Sequence, residues 1–178
     1  MGAHSDEVRL RYAESRQSAR SIDRVPPGRF DGGMRREDRL VIGFTLSYVA
    51  VSAPYAYVSK NSEFVFYIGV MLVLIGVVAW VHRNIQLHVA TLWLLSIWGL
   101  AHMAGGLVHV SDDVGVLYNL WLIPEYLKFD QLVHAYGFGT ATWVVWQALR
   151  ARVPDLQPTL GMLFVSMCAG IGLGAMNE

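Results

Sequence analysis

Cysteine and charge are the two scarcities that shape this chain. Its one cysteine, Cys168, excludes an intrachain disulfide framework. Charge is nearly absent past residue 39: nine of the fourteen basic and seven of the fourteen acidic residues precede Leu40. A soluble domain needs charged surface throughout, so this distribution excludes one. A transmembrane β-barrel is excluded too, because it would alternate in segments of about ten residues where this chain runs continuously apolar. No H-E-x-x-H motif and no internal repeat is present. Formal net charge is zero and the only arginine-rich stretch is the N-terminal one, so no nucleic-acid partner is expected. Those arginines are expected to meet anionic headgroups, at about 1 kcal/mol each close to the surface.

What is present is apolar sequence. Hydrophobic residues make up 54% of the chain, in uncharged blocks separated by short polar breaks. This pattern predicts an all-α, polytopic membrane helical bundle. Residues 1–39, rich in Arg, Ser and Gly, read as a disordered, basic cytoplasmic tail, and 40–178 as the transmembrane helical domain. Five spans are predicted: Leu40–Val58, Phe64–Val81, Leu87–Gly106, Gln131–Leu149 and Thr159–Asn177. Each approaches the ~20 residues that a ~30 Å hydrocarbon layer requires. Pro54 is expected to kink or end the first. Arg35-Arg36 has the look of a twin-arginine export signal, but Pro54 directly after Val51-Ser52-Ala53 makes a poor cleavage site, so a retained span is expected.

Placing the N-terminus in the cytoplasm puts twelve of the fourteen basic residues inside and leaves only Lys60 and Lys128 outside. A multi-pass protein of the inner or plasma membrane is therefore expected. The connection from about Leu107 to Phe129 is its one long external segment. Its stretch from Val116 to Pro124 is too short to span, and its Tyr and Trp suit it to lie along the interface or fold back over the bundle. In the fifth span Gly170 and Gly174 form a small-xxx-small pair suited to close helix packing.

In this topology the polar residues gather at one external layer: His102 on the third span, Asp130 and His134 on the fourth, Asn177 and Glu178 on the fifth. An ionisable residue within a span is costly, about 2.5–3.5 kcal/mol for a central Asp, and marks function by default. Asp130 and His134, four residues apart, have Cβ atoms roughly 5–6 Å apart on one helix face. That spacing suits a carboxylate orienting an imidazole, or two ligands of one ion. His102 and His109 share a face if the helix runs through Gly105-Gly106. Blander roles compete: His102 as a bundle histidine bonded to a backbone carbonyl, Asp130 as the N-cap of its helix, and His82 and His88 as interfacial groups. His109, Asp112 and Asp113 read as solvated loop groups. The cytoplasmic halves of the spans look almost bare of polar groups.

Three stretches carry a resemblance: His102-Met103-Ala104-Gly105-Gly106, Phe129-Asp130-Gln131-Leu132-Val133-His134 and Gly174-Ala175-Met176-Asn177-Glu178. Over roughly residues 40–178 the chain resembles the YjdF-like family of predicted inner-membrane proteins, a domain of unknown function. The short Asp130-x-x-x-His134 pattern is also similar to VanZ-like membrane proteins. The first resemblance implies a six-helix protein whose recurring polar positions map to His102, Asp130, His134 and Glu178. It also implies a second glutamate and a sixth span beyond Glu178. The family brings no established activity.

These readings set the functional expectation. An integral membrane enzyme would act on a lipid or envelope precursor at the external leaflet, with Asp130 and His134 as catalytic groups. His102, Asp130, His134 and Glu178 would be ligands for a divalent Zn, Mn or Fe ion. The alternatives are a transporter or proton-coupled permease, whose polar groups would spread through the membrane depth, and a structural membrane protein. The bilayer and a lipid-like substrate are the expected partners.

Overall fold

The computed structural model describes residues 34–58, 62–153 and 155–175, with side chains from Val65 onward in the second segment. The N-terminal tail to residue 33, Asn177 and Glu178 lie outside the described residues. Within them the apolar runs form five helices: α1 (Arg36–Val58), α2 (Ser62–Ile85), α3 (Val89–Leu107), α4 (Phe129–Arg152) and α5 (Leu160–Ala175). Helix is the expected solution here. In lipid each backbone N–H and C=O must find its partner within the segment.

Length and composition suffice to cross a membrane in three of these, α1, α2 and α3. The other two predicted spans differ for separate reasons. Helix α4 has 24 residues but is diluted by Asp130, Gln131, His134, Gln147, Arg150 and Arg152, whereas the described part of α5 is apolar but only 16 residues long. Helix α1 begins four residues before the predicted Leu40 and takes Asp38 into its first turn. It also continues through Pro54 to Val58.

Packing follows the small residues. A Cβ added at Gly170 would lie 2.7 Å from the Thr142 backbone nitrogen, and one at Gly174 would strike the Phe138 ring, so α5 lies directly on α4. Gly172, between them, faces open space. One buried cluster joins α1, α2 and α3 through Tyr48, Val49, Ala56, Ile68, Met71 and Met103. A second, of Val41, Leu87 and Leu92, lies where α1 starts. Outward side chains on α2 and α5, among them Phe66, Leu72, Val73, Phe164 and Leu173, are exposed, as lipid-facing surface is.

Between α3 and α4 the chain folds back over the helix ends as a cap. It consists of an antiparallel hairpin β1–β2 (His109–Ser111, Gly115–Val116), a 3₁₀ turn (Leu117–Asn119) and a second hairpin β3–β4 (Trp121–Ile123, Leu127–Lys128). Gly115 (φ 74°) closes the first hairpin in a left-handed conformation that glycine adopts freely. The 3₁₀ turn is pinned at both sides, by Leu117 N–H to the Val108 carbonyl (2.9 Å) and Phe129 N–H to the Leu120 carbonyl (2.9 Å).

Candidate functional site

Helix α3 runs through Gly105-Gly106 and stops at Leu107, after which the Val108 N–H closes on the Ala104 carbonyl at 2.9 Å. His102 therefore sits within the last two turns of α3. His109 is not on its helical face. It belongs to β1, where its exposed ring lies 3.5 Å from the Asp112 carboxylate.

The cap reaches His102 through Tyr118. The phenol oxygen is 2.6 Å from His102 Nδ1 and donates to the His102 carbonyl oxygen at 2.9 Å. Gly105 makes this approach feasible, because any Cβ there would collide with the Tyr118 ring. The phenol has one proton, and it is used on the carbonyl. The 2.6 Å contact is then satisfied when His102 Nδ1–H donates to the phenol oxygen, which leaves Nε2 as the basic nitrogen of the ring. Trp98 and Tyr67 flank the same imidazole, with ring centroids at 5.6 and 6.3 Å.

At the start of α4 the N-cap position is Lys128, not Asp130. Its backbone N–H is satisfied by the Gln131 side-chain oxygen at 2.8 Å. Asp130 thus falls inside the first turn, where a carboxylate suits the positive end of the helix dipole. Its Oδ1 lies 3.2 Å from His134 Nδ1, and the same nitrogen is 2.9 Å from the Asp130 carbonyl oxygen. Two oxygen acceptors around Nδ1 hold the proton there, so His134 too presents Nε2 as its basic atom. Both side chains of the pair are part-exposed.

The two imidazoles belong to the same end of the bundle. Trp98, in ring contact with His102, donates its indole N–H to the carbonyl of Val133, the neighbour of His134, at 3.2 Å. Tyr118 is in ring contact with Phe129, the neighbour of Asp130 (centroids 6.5 Å). His134 contacts Phe138 at 6.2 Å, and Phe138 is the ring that Gly174 of α5 accommodates. Of the four residues expected to share an ion, Asp130 and His134 touch and His102 sits on the adjoining helix, while Glu178 is outside the described residues. Among the described residues no group of three or more His, Cys, Asp or Glu side chains is placed to hold a metal.

The opposite end of the bundle is not bare, contrary to the expectation from sequence. Asp38, 5% exposed, accepts from Arg35 Nε at 3.1 Å and lies 3.6 Å from His82 Nε2 at the end of α2. Asp38 Oδ1 and His82 Nδ1 are buried without hydrogen-bond partners. Arg35 also reaches the Leu87 carbonyl in the α2–α3 turn at 3.5 Å. Nearby, Gln147 of α4 accepts from the His88 backbone N–H at 3.0 Å and donates to Thr91 Oγ1. Between the two ends, Thr45 and Ser96 share a 2.6 Å hydroxyl contact across α1 and α3.

Tyr118, Trp98 and Asp38 were not anticipated from the sequence. The tyrosine carries no motif. Asp38, however, stands three residues before the buried Val41 at the lip of an apolar run, a position that a helix reading begun at Arg36 would have flagged.

A helical membrane bundle with an imidazole–carboxylate pair beside a two-hairpin cap is the class that this fold defines. The chain belongs to DUF2238, a family described as "Predicted membrane protein", whose model matches residues 40–178. No curated protein and no solved structure matches it.

Proposed function

We propose that the capped end is the active end of an integral membrane enzyme, with His134 as general base and Asp130 as the group that orients it. The observation that carries this reading is the Asp130 carboxylate 3.2 Å from His134 Nδ1, the base–orienter geometry of acid–base catalysis. With its own proton on the His102 carbonyl, the Tyr118 hydroxyl favours the matching tautomer of His102. The proposed substrate is a lipid or envelope precursor at the outer leaflet. The orientation is supported by the basic residues, since the cap lies at the end away from Arg83, Arg150 and Arg152.

A divalent ion of the Zn, Mn or Fe class fits the donor types. Histidine ligands characteristically bind through one nitrogen while the other is held by an oxygen partner, and both rings here have Nδ1 so held. In this version His102 and His134 are ligands through Nε2, Glu178 joins them, and Asp130 supports His134 rather than coordinating through Oδ1. The ion would supply Lewis-acid polarisation of a substrate oxygen.

The test is conversion of a native lipid extract by purified protein in vesicles, followed by mass spectrometry. Asp130→Asn and His134→Gln are expected to slow conversion by about 10²–10⁴-fold; unchanged conversion contradicts the reading. Metal content of wild type and His134→Ala separates the two versions. Equal content, or none in either, removes the ion and leaves the base.

A proton-coupled permease is the second reading, favoured by the polar pairs at several depths: Asp38–His82, Thr45–Ser96 and Asp130–His134. Uptake by proteoliposomes that is lost in both Asp38→Asn and Asp130→Asn would favour it over catalysis.

A further inference from the structure

We infer that the β3–β4 hairpin is a membrane-dipping element whose Trp121, Leu122, Ile123 and Tyr126 enter the headgroup–acyl boundary, while β1–β2 stands in water. Successive strand residues point to opposite faces, so a hairpin in water is expected to be polar on at least one of them. In β3 three consecutive residues, Trp121, Leu122 and Ile123, are all apolar and all exposed, and Tyr126 at the turn is 83% exposed. β3 therefore places an uncovered apolar side chain on each face of the hairpin, whose polar groups are Lys128 at its base and the exposed Glu125 in its turn.

The first hairpin is more polar. Beside the exposed Val110 it offers His109, Ser111, Asp112 and Asp113, with His109 and Asp112 well exposed. Two hairpins of similar size on one cap thus differ in the solvent each suits.

The occupant of the apolar hairpin follows from where it is anchored. β4 ends at Lys128 and α4 starts at the next residue, with Phe129 N–H bonded back to the Leu120 carbonyl, so the hairpin is fixed to a helix end. Its composition is that of the interface belt: Trp and Tyr together with Lys128, whose ammonium lies 4.9 Å over the Trp121 ring. A bilayer surface covers such a hairpin without any further protein. The 3₁₀ turn that carries Tyr118 lies between the wet hairpin and the dipping one, which puts the His102 contact at the water–lipid boundary. For an amphiphilic substrate, with its headgroup toward β1–β2 and its chain toward β3–β4, the inference rests on the proposed function; the depth of the hairpin does not.

The experiment is spin-label accessibility of the full chain in phosphatidylcholine–phosphatidylglycerol vesicles. In a Cys168→Ser background, labels are placed singly at Leu122→Cys, Ile123→Cys and Asp112→Cys, and only variants with unchanged thermal unfolding are used. The expected result is an oxygen-to-nickel-chelate accessibility ratio several-fold higher at 122 and 123 than at 112. Equal ratios overturn the inference, as does shielding of 122 and 123 from both reagents, which would mean protein rather than lipid covers them. Loss of conversion in the Asp130 and His134 variants reports on catalysis alone, so the two readings fail separately.

Discussion

Tyr118 spans the cap and the bundle: its hydroxyl touches both Nδ1 and the backbone carbonyl of His102, at 2.6 and 2.9 Å. One side chain thereby favours one tautomer of His102 and fastens the 21-residue connection between α3 and α4 to α3. Tyr118→Phe keeps the ring on Gly105 but deletes both contacts. It is expected to lower unfolding stability in detergent by about 0.5–1.5 kcal/mol. Gly105→Ala forces the ring out and is expected to cost more, about 1–3 kcal/mol, with faster proteolysis of the cap. Equal stability of Gly105→Ala and wild type would mean that the cap is not docked through Tyr118.

The α4–α5 contact makes a sharper comparison, because two glycines of one helix differ only in what they face. Gly170→Ala meets the Thr142 backbone and is expected to destabilise by about 1–3 kcal/mol. Gly172→Ala meets nothing within 4 Å and is expected to be neutral or slightly stabilising. Thermal unfolding of the two variants side by side decides the matter, and a reversed order would place α5 on a different face of α4.

At the opposite end, Asp38 links Arg35, His82 and, through Arg35, the α2–α3 turn. Asp38→Ala strips a charged acceptor from two partners and is expected to cost about 1.5–3 kcal/mol. Asp38→Asn retains the shape and one acceptor oxygen, so it should lose less. A thermal unfolding series in which both substitutions leave stability unchanged would show that the contact to Arg35 contributes little.

The Thr45–Ser96 hydroxyl pair predicts coupling between α1 and α3. In a double-mutant cycle of Thr45→Val and Ser96→Ala the coupling energy should be about 0.6 kcal/mol, the usual scale for a side-chain bond between membrane helices. Strict additivity would mean that the 2.6 Å contact adds nothing beyond packing.

Much of the architecture was readable in sequence because lipid imposes a simple rule. An apolar run of sufficient length folds as a helix, and all five runs did so, with the ends among the described residues within a few residues of the expected bounds. The errors fall where tertiary contacts set the outcome. Asp38 looked like part of a charged tail, since Arg35, Arg36, Glu37 and Arg39 surround it, yet helical spacing turns it inward beside Val41 and His82. Asp130 has the residue type of a cap, but the helix starts earlier, with Lys128 at the N-cap, which leaves Asp130 in the first turn with its carboxylate at His134. The Tyr118 contact depends on two hairpins and a bare Gly105, none of which leaves a periodic trace. The i,i+4 spacing of Asp130 and His134 was visible outright, because helix geometry alone brings such a pair together.

The account turns on two imidazoles held at Nδ1 by oxygen partners and basic at Nε2. Nitrogen-15 NMR of histidine-labelled protein in vesicles, at a pH where the rings are neutral, reads this directly. Both His102 and His134 are predicted to carry the proton on Nδ1, the minor form of free histidine, with His134 shifting toward Nε2–H in Asp130→Asn and His102 in Tyr118→Phe. Nε2–H rings in the wild-type protein, unaffected by either substitution, would contradict it.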